Sequence, residues 1–579
     1  MGRRGRRRGR RAGSAVSGAP RPEAGVVAAL AFACAGLGAC AFIAPFPDVA
    51  ADPAPVGEGG GGGGGGGAGG GAEVQEICVP LTEATCYAGP QGTQGVGLCV
   101  AGVAACNDDG TDVGACVGQV LPAFESCATP EDENCDGRAC TGDPVHSVAL
   151  GGAGAQQGLG VAASADAVVV VGSASGSTDL GAGPSDELGA LGEPDAFLVS
   201  FSRDASRREG RFRFGRRFAD SVARAVALAP GGDVVLAGSA AGDVDFGGGV
   251  LEGAGRRADV VVARFDATGA HQFSRRFGDD ATQHAAAVAV DQAGNAFITG
   301  EFSGTLDFGE GRRGERFTLE SHGRSDAFLV KLDAAGHVDW AKRLGGQGDQ
   351  AGTGVAVDGD GDIVVVGWFS GEIDLGGERP LTTDAKTNLF IAKLDPSGDH
   401  VWSKAADATN AAEALGVAID GAGNILVTGS FRRAISLGES LLTSNGDKDV
   451  FLIRLDDNGV LQWCEDFGDD ADQEGASVAV DLAGNILLTG SFLGNLDIGT
   501  EAHSAVGAAD VFVAKLDPAS NPIWLRSFGD SGEQRGAAVA VDLLGDGWVT
   551  GRFDGVLDRE AATGASQGAG DAFLVQIGP

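Results

Sequence analysis

The sequence predicts an all-β fold: a seven-bladed β-propeller of four-stranded antiparallel blades, preceded by a small disulfide-rich module. Three observations predict it. The segment Asp326-Ala-Phe-Leu-Val-Lys-Leu-Asp333 returns as Asp449-Val-Phe-Leu-Ile-Arg-Leu-Asp456 and as Asp510-Val-Phe-Val-Ala-Lys-Leu-Asp517. Its first position falls on Asp195, Asp259, Asp326, Asn388, Asp449, Asp510 and Asp571, at intervals of 64, 67, 62, 61, 61 and 61 residues. A period of that length means one supersecondary unit per repeat. No segment sustains a helical period, whereas β-branched residues alternate between Gly/Asn turns, as in an antiparallel meander.

Each repeat reads as four short strands. Strand A is typified by Val478-Ala-Val-Asp481 and strand B by Ile486-Leu-Leu-Thr-Gly490, with the turn Leu482-Ala-Gly-Asn485 between them. Strand C is Asp449–Leu455 in the preceding repeat, followed by the turn Asp456-Asp-Asn-Gly459 and strand D, Val460–Phe467. Four strands in about 60 residues, repeated, make the blade of a propeller. The motif Val-Ala-Val-Asp-x-x-Gly-Asn-x-x-x-Thr-Gly resembles the SBBP (seven-bladed β-propeller) repeat and its NHL-type relatives over residues 146–579. The first D strand, His146–Leu150, precedes the first A strand, and the last strand, Asp571–Ile577, is a C strand. With strand A innermost, the N-terminal D strand completes the C-terminal blade and removes both open edges. Trp340, Trp402, Trp463 and Trp524 recur in strand D and are expected in the inter-blade core.

The N-terminus reads as an address. Arg3–Arg11 is basic, and Val26–Ala39 is an apolar stretch too short to span a bilayer, as in a secretory signal. It ends in Leu37-Gly38-Ala39-Cys40, which resembles the lipobox of bacterial lipoproteins. The resemblance implies a signal peptide over 1–39, acylation at Cys40 and, with Ala41 rather than Asp next, display at the outer membrane or cell surface. Cleavage after Ala51 to a free secreted protein is the alternative. Residues 40–77 are a tether that includes unbroken glycine over Gly59–Gly67. Such a chain is a flexible coil reaching roughly 30–35 Å.

Eight cysteines follow in the module 78–143: Cys78, Cys86, Cys99, Cys106, Cys116, Cys127, Cys135 and Cys140. An even, dense set in an exported chain reads as four disulfides, in one of 105 pairings. The segments Cys86-Tyr-Ala-Gly-Pro-Gln-Gly-Thr-Gln-Gly-Val-Gly-Leu-Cys99, Gly114-Ala-Cys116-Val-Gly-Gln-Val-Leu-Pro122 and Glu133-Asn-Cys135-Asp-Gly137 resemble a Cys-rich module of bacterial surface proteins that carries a metal-binding label. Within it Asp132, Asn134 and Asp136, with Gly137 for the turn and Asp143 at the twelfth position, match the oxygen spacing of a calcium loop. This resembles the dockerin loop and implies Ca2+ held by those side chains and the Arg138 carbonyl. No flanking helices are evident.

Elsewhere the recurrent polar residues read as scaffold. Gln156, Gln283, Gln350, Gln473 and Gln534 share one position of the D–A connection, where an amide satisfies loop backbone. Asp291, Asp358, Asp420, Asp481 and Asp542 open the A–B turns. Asp358-Gly-Asp360-Gly-Asp362 lacks the sixth-position Gly and twelfth-position acid of a calcium loop. The seven histidines, His146, His271, His284, His322, His337, His400 and His503, show no close metal-ligand spacing. Cys464, beside Trp463, reads as a packed thiol. No nucleophile elbow, P-loop or His-Glu-x-x-His is present, so no catalytic residues are assigned.

Charge bounds the partner. The net charge is −37 although residues 1–39 are strongly basic, so the remainder is more acidic still. That excludes nucleic acid, whose phosphates need a basic face. The expected function is a surface lipoprotein whose monomeric propeller binds or scaffolds an extracellular glycan, peptide or protein, touching the membrane through its lipid alone. A propeller hydrolase or lyase at the channel mouth, or a purely structural envelope protein, is the alternative. The longer D–A and B–C connections share one face, the expected binding surface.

Overall fold

The A–B hairpin shows why each repeat folds as it does. In the sixth repeat Gln473–Val480 pairs antiparallel with Ile486–Phe492. The Asp481 carboxylate accepts the backbone N–H of Ala483 and of Asn485, and the Asn485 side-chain amide. The turn is thereby closed by its own first residue. Asp291 and Asp420 repeat the arrangement in theirs. Asp510–Leu516 then pairs with strand B, and Pro522–Phe528 pairs with Asp510–Leu516. The computed structural model describes residues 82–579 apart from 90–92, 109–112, 124–126, 128–131, 134, 136, 138–139, 182–193, 204–210, 254–256 and 558–564.

Seven such four-stranded sheets are present, each in the order A-B-C-D. Their A strands are Gln156–Ala163, Ser221–Leu228, Gln283–Val290, Gln350–Val357, Ala411–Ile419, Gln473–Val480 and Gln534–Val541. Each A strand packs against the next, and the seventh returns to the first, giving a closed all-β ring of propeller type. The core lies between successive sheets: Leu426, Val450 and Leu452 of the fifth meet Ile486, Leu488 and Phe512 of the sixth, all wholly buried. The glutamines stand not in the D–A connection but as the first residues of the A strands. They are at most 1% exposed, and each amide donates to the carbonyl of a residue beyond strand B, such as Gln473 to Leu493 at 3.0 Å and Gln156 to Ser175 at 2.9 Å.

The seventh sheet closes in the expected way. Pro144–Leu150 pairs with Asp571–Ile577, so one N-terminal strand completes three C-terminal ones. The closing turn copies an ordinary C–D turn cut in two. In the sixth sheet Asp517 N–H donates to Asn521 at 2.8 Å; at the closure Gly578 N–H donates to Asp143 at 3.0 Å. Ser520 has φ 69° and Gly142 has φ 66°, so the left-handed residue is kept as well. By register, Pro579 and Thr141 stand where Pro518 and Ala519 are consecutive.

The tryptophans bridge sheets, and three of the four are partly buried at the margin of the inter-blade core they pack against. Their indole N–H groups reach the C–D turn of the following sheet: Trp340 to Pro396 at 3.3 Å, Trp402 to Asp457 at 3.0 Å and Trp463 to Pro518 at 3.2 Å. A ring that is apolar on its body and polar at one nitrogen suits that border. Trp524 is only 3% exposed, because it meets the divided turn and packs against Gly142.

The B–C connections are not plain loops. Five of them carry a second hairpin, such as Asn495–Ile498 with Glu501–Ser504 and Thr305–Glu310 with Arg316–Glu320. Leu306, Phe308, Ile373, Leu375, Leu496 and Ile498 of these hairpins are at most 3% exposed, so alternation folds them back onto the blade. In the module, Glu83–Cys86 pairs with Gly102–Ala105, and disulfides join Cys86–Cys116, Cys99–Cys135 and Cys127–Cys140. Cys106 is also disulfide-bonded. Cys40, Cys78 and the segments read as signal peptide and tether lie outside the described residues. Among the described residues no helix is long and apolar enough to cross a membrane.

Candidate site at the channel mouth

Every A strand carries a β-bulge, so one residue per sheet is left out of the pairing. The seven extra residues are Leu159, Arg224, Ala286, Thr353, Leu415, Ala476 and Ala537. A bulge re-aims the side chain it displaces. Arg224 is the single charged member, it is exposed, and among the described residues its side chain makes no hydrogen bond or ion pair.

The residue one past the glutamine register of each A strand lies just inside the D–A connection, on the long-connection face. These are Gln157, Val222, His284, Ala351, Glu413, Glu474 and Arg535. Their partners on strand B continue the mouth: His284 faces Glu301, Ala351 faces Trp368, and Arg535 faces Arg552. Charges here are mostly paired. Lys448 bonds Glu474, Arg324 bonds Asp349, Arg432 meets Asp447 at 2.5 Å, and Arg535 meets Glu533 at 2.7 Å.

One sector differs. Burial, with the Arg224 charge adding to it, holds His284 below the ordinary imidazole range. Its Nδ1 is buried without a hydrogen-bond partner. Burial pushes the Glu301 carboxyl up, against Arg224 and reinforced by Asp349. The sector therefore offers a neutral imidazole, a carboxyl with raised proton affinity and an unpaired guanidinium, with Trp368 on the next sheet. Perturbed ionisable groups close to one another mark candidate functional sites. The same face carries a peripheral cleft of about 460 Å³ lined by His322, Arg343, Gln347, Glu372 and Asp374. His284 was visible in the sequence only as one of seven histidines. Arg224 was not singled out, because a bulge has no residue signature.

The loop expected to bind calcium is described only in part. Asn134, Asp136 and Arg138 lie outside the described residues. Asp132 accepts the Gly137 N–H at 2.7 Å, as a turn-closing carboxylate does. Asp143 belongs to the propeller's closing turn, where its side chain accepts the Thr141 hydroxyl at 2.9 Å and faces Arg526 at 3.5 Å. Among the described residues no three His, Cys, Asp or Glu side chains are gathered to hold a metal. Asp358 and Asp362 instead hold the Lys393 ammonium, at 3.1 and 3.0 Å. Four other histidines have local partners: His271 with Ser274, His337 with Asp333, His400 with Ser403 and His503 with Ser527. Cys464 is a free, half-buried thiol whose pKa is raised by burial, with Glu465 and Asp466 adding to it and a Ser440 hydrogen bond opposing.

No family model matches the chain. It is similar to an uncharacterized WD repeat-containing protein of Acanthamoeba polyphaga mimivirus, 27% identical over 157 residues, which are 25% of this chain and 11% of that one. It is likewise 27% identical over 142 residues, 24% of this chain and 15% of the other, to the regulatory protein FlaEY of Caulobacter vibrioides. The matched segments thus span less than a sixth of these relatives. Among solved structures, Sqt1 from Chaetomium thermophilum aligns over 76% of this chain and 99% of its own, at 11% identity and a TM-score of 0.37. A gluconolactonase from Xanthomonas campestris aligns over 56% and 82%, at 14% identity and a TM-score of 0.27. The fold rests on the seven sheets and their cyclic packing, not on these likenesses.

Proposed function

We propose that the chain is an exported, lipid-anchored display protein whose seven sheets are the blades of a β-propeller that binds an extracellular glycan, peptide or protein at the channel mouth. The observation that carries it is Arg224: an exposed cation at a bulge, without an ion pair among the described residues, whose charge acts on His284 and Glu301 while the other charges of this face are largely paired. An acidic chain that keeps such a group attracts an anionic or hydrogen-bonding ligand there. Trp368 adds a ring suited to a sugar or aromatic face. Cys40 supplies the anchor and residues 40–77 the spacing from the membrane.

A second reading has its own support. His284 and Glu301 face each other across two strands, one held neutral and one shifted toward protonation, which suits proton transfer in a hydrolase or lyase. Screening the purified chain against glycan and envelope-protein arrays, beside Arg224→Ala and Trp368→Ala, separates the two. Capture lost in both variants supports binding. Turnover of a captured ligand that disappears in His284→Ala supports the enzyme. Mass spectrometry of the mature N-terminus tests the anchor: a start other than acylated Cys40 overturns it.

A further inference from the structure

One buried acid is held differently from sheet to sheet, and in the third sheet its arginine is left open to solvent. At the head of strand C, Asp195, Asp259 and Asp326 are at most 2% exposed. Each pairs with an arginine of strand D: Arg217 at 2.7 Å, Arg276 at 2.6 Å and Arg343 at 2.9 Å. The fourth sheet has the uncharged Asn388, and the last three keep the acid, as Asp449, Asp510 and Asp571. The arginine's register is taken there by Asp466, Ser527 and Ala149. Backbone N–H groups of Asn445, Val506 and Gln567 donate to these carboxylates at 3.0 Å. Arg217 and Arg276 have side chains only 2% and 7% exposed, and their other nitrogens reach carbonyls such as those of Gly176 and Gly242. In the third sheet the matching carbonyl, of Gly304, accepts the Ser321 N–H instead. The Arg343 side chain makes one hydrogen bond, to Asp326, and is 24% exposed. It lines the peripheral cleft of about 460 Å³.

The other wall of that cleft departs from the repeat as well. In the connections leading into the third, sixth and seventh sheets, Asp279, Asp469 and Asp530 stand four residues before the glutamine. Each accepts that glutamine's amide and one N–H of the B–C connection, from Thr305, Asn495 or Val556. In the connection into the fourth sheet Gly346 takes the same register, and a Cβ there would lie 2.6 Å from the Glu372 carbonyl oxygen. The Glu372 N–H, equivalent to those three, donates to the Gln347 carbonyl at 3.0 Å. The side chains of His322, Gln347 and Glu372 line the cleft and make no hydrogen bond or ion pair among the described residues. Both the arginine's usual acceptors and the usual aspartate are thus absent at this one junction.

We propose that the cleft between the third and fourth sheets is a second binding site, for a neutral, hydroxyl-rich sugar of an extracellular glycan. Arg343 and Gln347 offer donors, Glu372 and Asp374 offer acceptors, and the His322 imidazole offers one of each. A sugar hydroxyl both donates and accepts, whereas an apolar ligand would leave these groups unpaired. The carboxylates of Glu372 and Asp374 repel an acidic sugar. The volume lies within the roughly 300–1,000 Å³ of small-ligand sites. The site is peripheral and does not depend on the reading of the channel mouth.

The test is a ligand-observed NMR titration of the full chain with neutral trisaccharides of glucose, mannose, galactose and N-acetylglucosamine, beside trigalacturonate. At least one neutral sugar is expected to bind. Glu372→Ala is expected to weaken it about tenfold or more, as the loss of a hydrogen bond to a charged group does. Gln347→Ala weakens it in the same direction. Neither side chain has a protein partner, so both variants are expected to keep the melting midpoint of the parent. Binding that survives both substitutions unchanged overturns the proposal. So does binding lost in Arg224→Ala but kept in Glu372→Ala, which puts the sugar at the channel mouth. A preference for trigalacturonate, or a chain that takes none of the neutral sugars, overturns it equally.

Discussion

The first three sheets and the last three bury the same acid at the same register and hold it by different means. In the first two, arginine also reaches the end of strand B: Arg217 donates to the carbonyls of Ala174 and Gly176, and Arg276 to those of Ala240 and Gly242. In the third, fifth, sixth and seventh sheets the carbonyl equivalent to Gly242 belongs to Gly304, Arg433, Gly494 or Gly555. It accepts a backbone N–H from Ser321, Ser444, Ala505 or Ser566. Arginine and the tail of the B–C connection are therefore alternative ways to tie down the same strand end. What the repeat preserves is the acceptor, and the donor is free to vary. The third sheet uses both, since the His322 N–H and the Arg343 side chain converge on Asp326.

The difference is most severely tested at the seam, which lies in the arginine-free half. A chain of residues 161–579 loses Pro144–Leu150 and leaves the Asp571–Ile577 edge unpaired. It is expected to aggregate or melt without cooperativity, as exposed edges do. Removing only residues 1–140 keeps Thr141–Asp143 and is expected to leave a cooperative transition. A soluble, cooperative 161–579 chain contradicts the closure.

Next in size is Arg276→Met. It leaves Asp259 buried without its cation and is expected to cost about 3–5 kcal/mol in denaturant unfolding. Ser527→Ala, at the same register in the sixth sheet, loses one hydrogen bond to His503 and is expected to cost about 1 kcal/mol. Equal losses would mean that the two halves do not differ. The smallest effect is chemical. Cys464 neighbours Asp466, and its raised thiol pKa predicts slower alkylation at pH 8 in the native chain than in urea. Equal rates would remove the acidic surroundings from the account.

The ring was legible in the sequence because its causes are periodic. The Asx-closed turns, the apolar alternation of strands B and C and the isolated first D strand each repeat or complete a repeat. The second hairpins were legible in principle: Val244-Asp-Phe-Gly247, Leu306-Asp-Phe-Gly309, Ile373-Asp-Leu-Gly376 and Leu496-Asp-Ile-Gly499 recur, but their short alternation was read as loop. The candidate site was not legible. Arg224 acts through a bulge, and His284 with Glu301 through cross-strand register, and neither leaves a local pattern. The change of donor from Arg276 to the Asn445 N–H is invisible too, because a backbone amide has no letter of its own.

The comparison is tested most directly by native-state hydrogen exchange, sheet by sheet, at pH 5 and pH 8 without divalent ions. Burial pushes the Asp449 carboxyl up to about 6, with the Asn445 amide and the Ser444 side chain opposing through hydrogen bonds and Asp466 and Asp469 adding to it. Burial raises Asp510 and Asp571 in the same direction. A carboxyl whose folded pKa lies above its unfolded value of about 3.9 binds more protons when folded. Its contribution is full below that unfolded value and is lost as pH rises through about 6. Corrected for intrinsic exchange, protection in the fifth to seventh sheets is expected to fall from pH 5 to pH 8, while the arginine-paired first to third sheets hold theirs. A uniform change around the ring, or a fall confined to the first three sheets, would contradict the account.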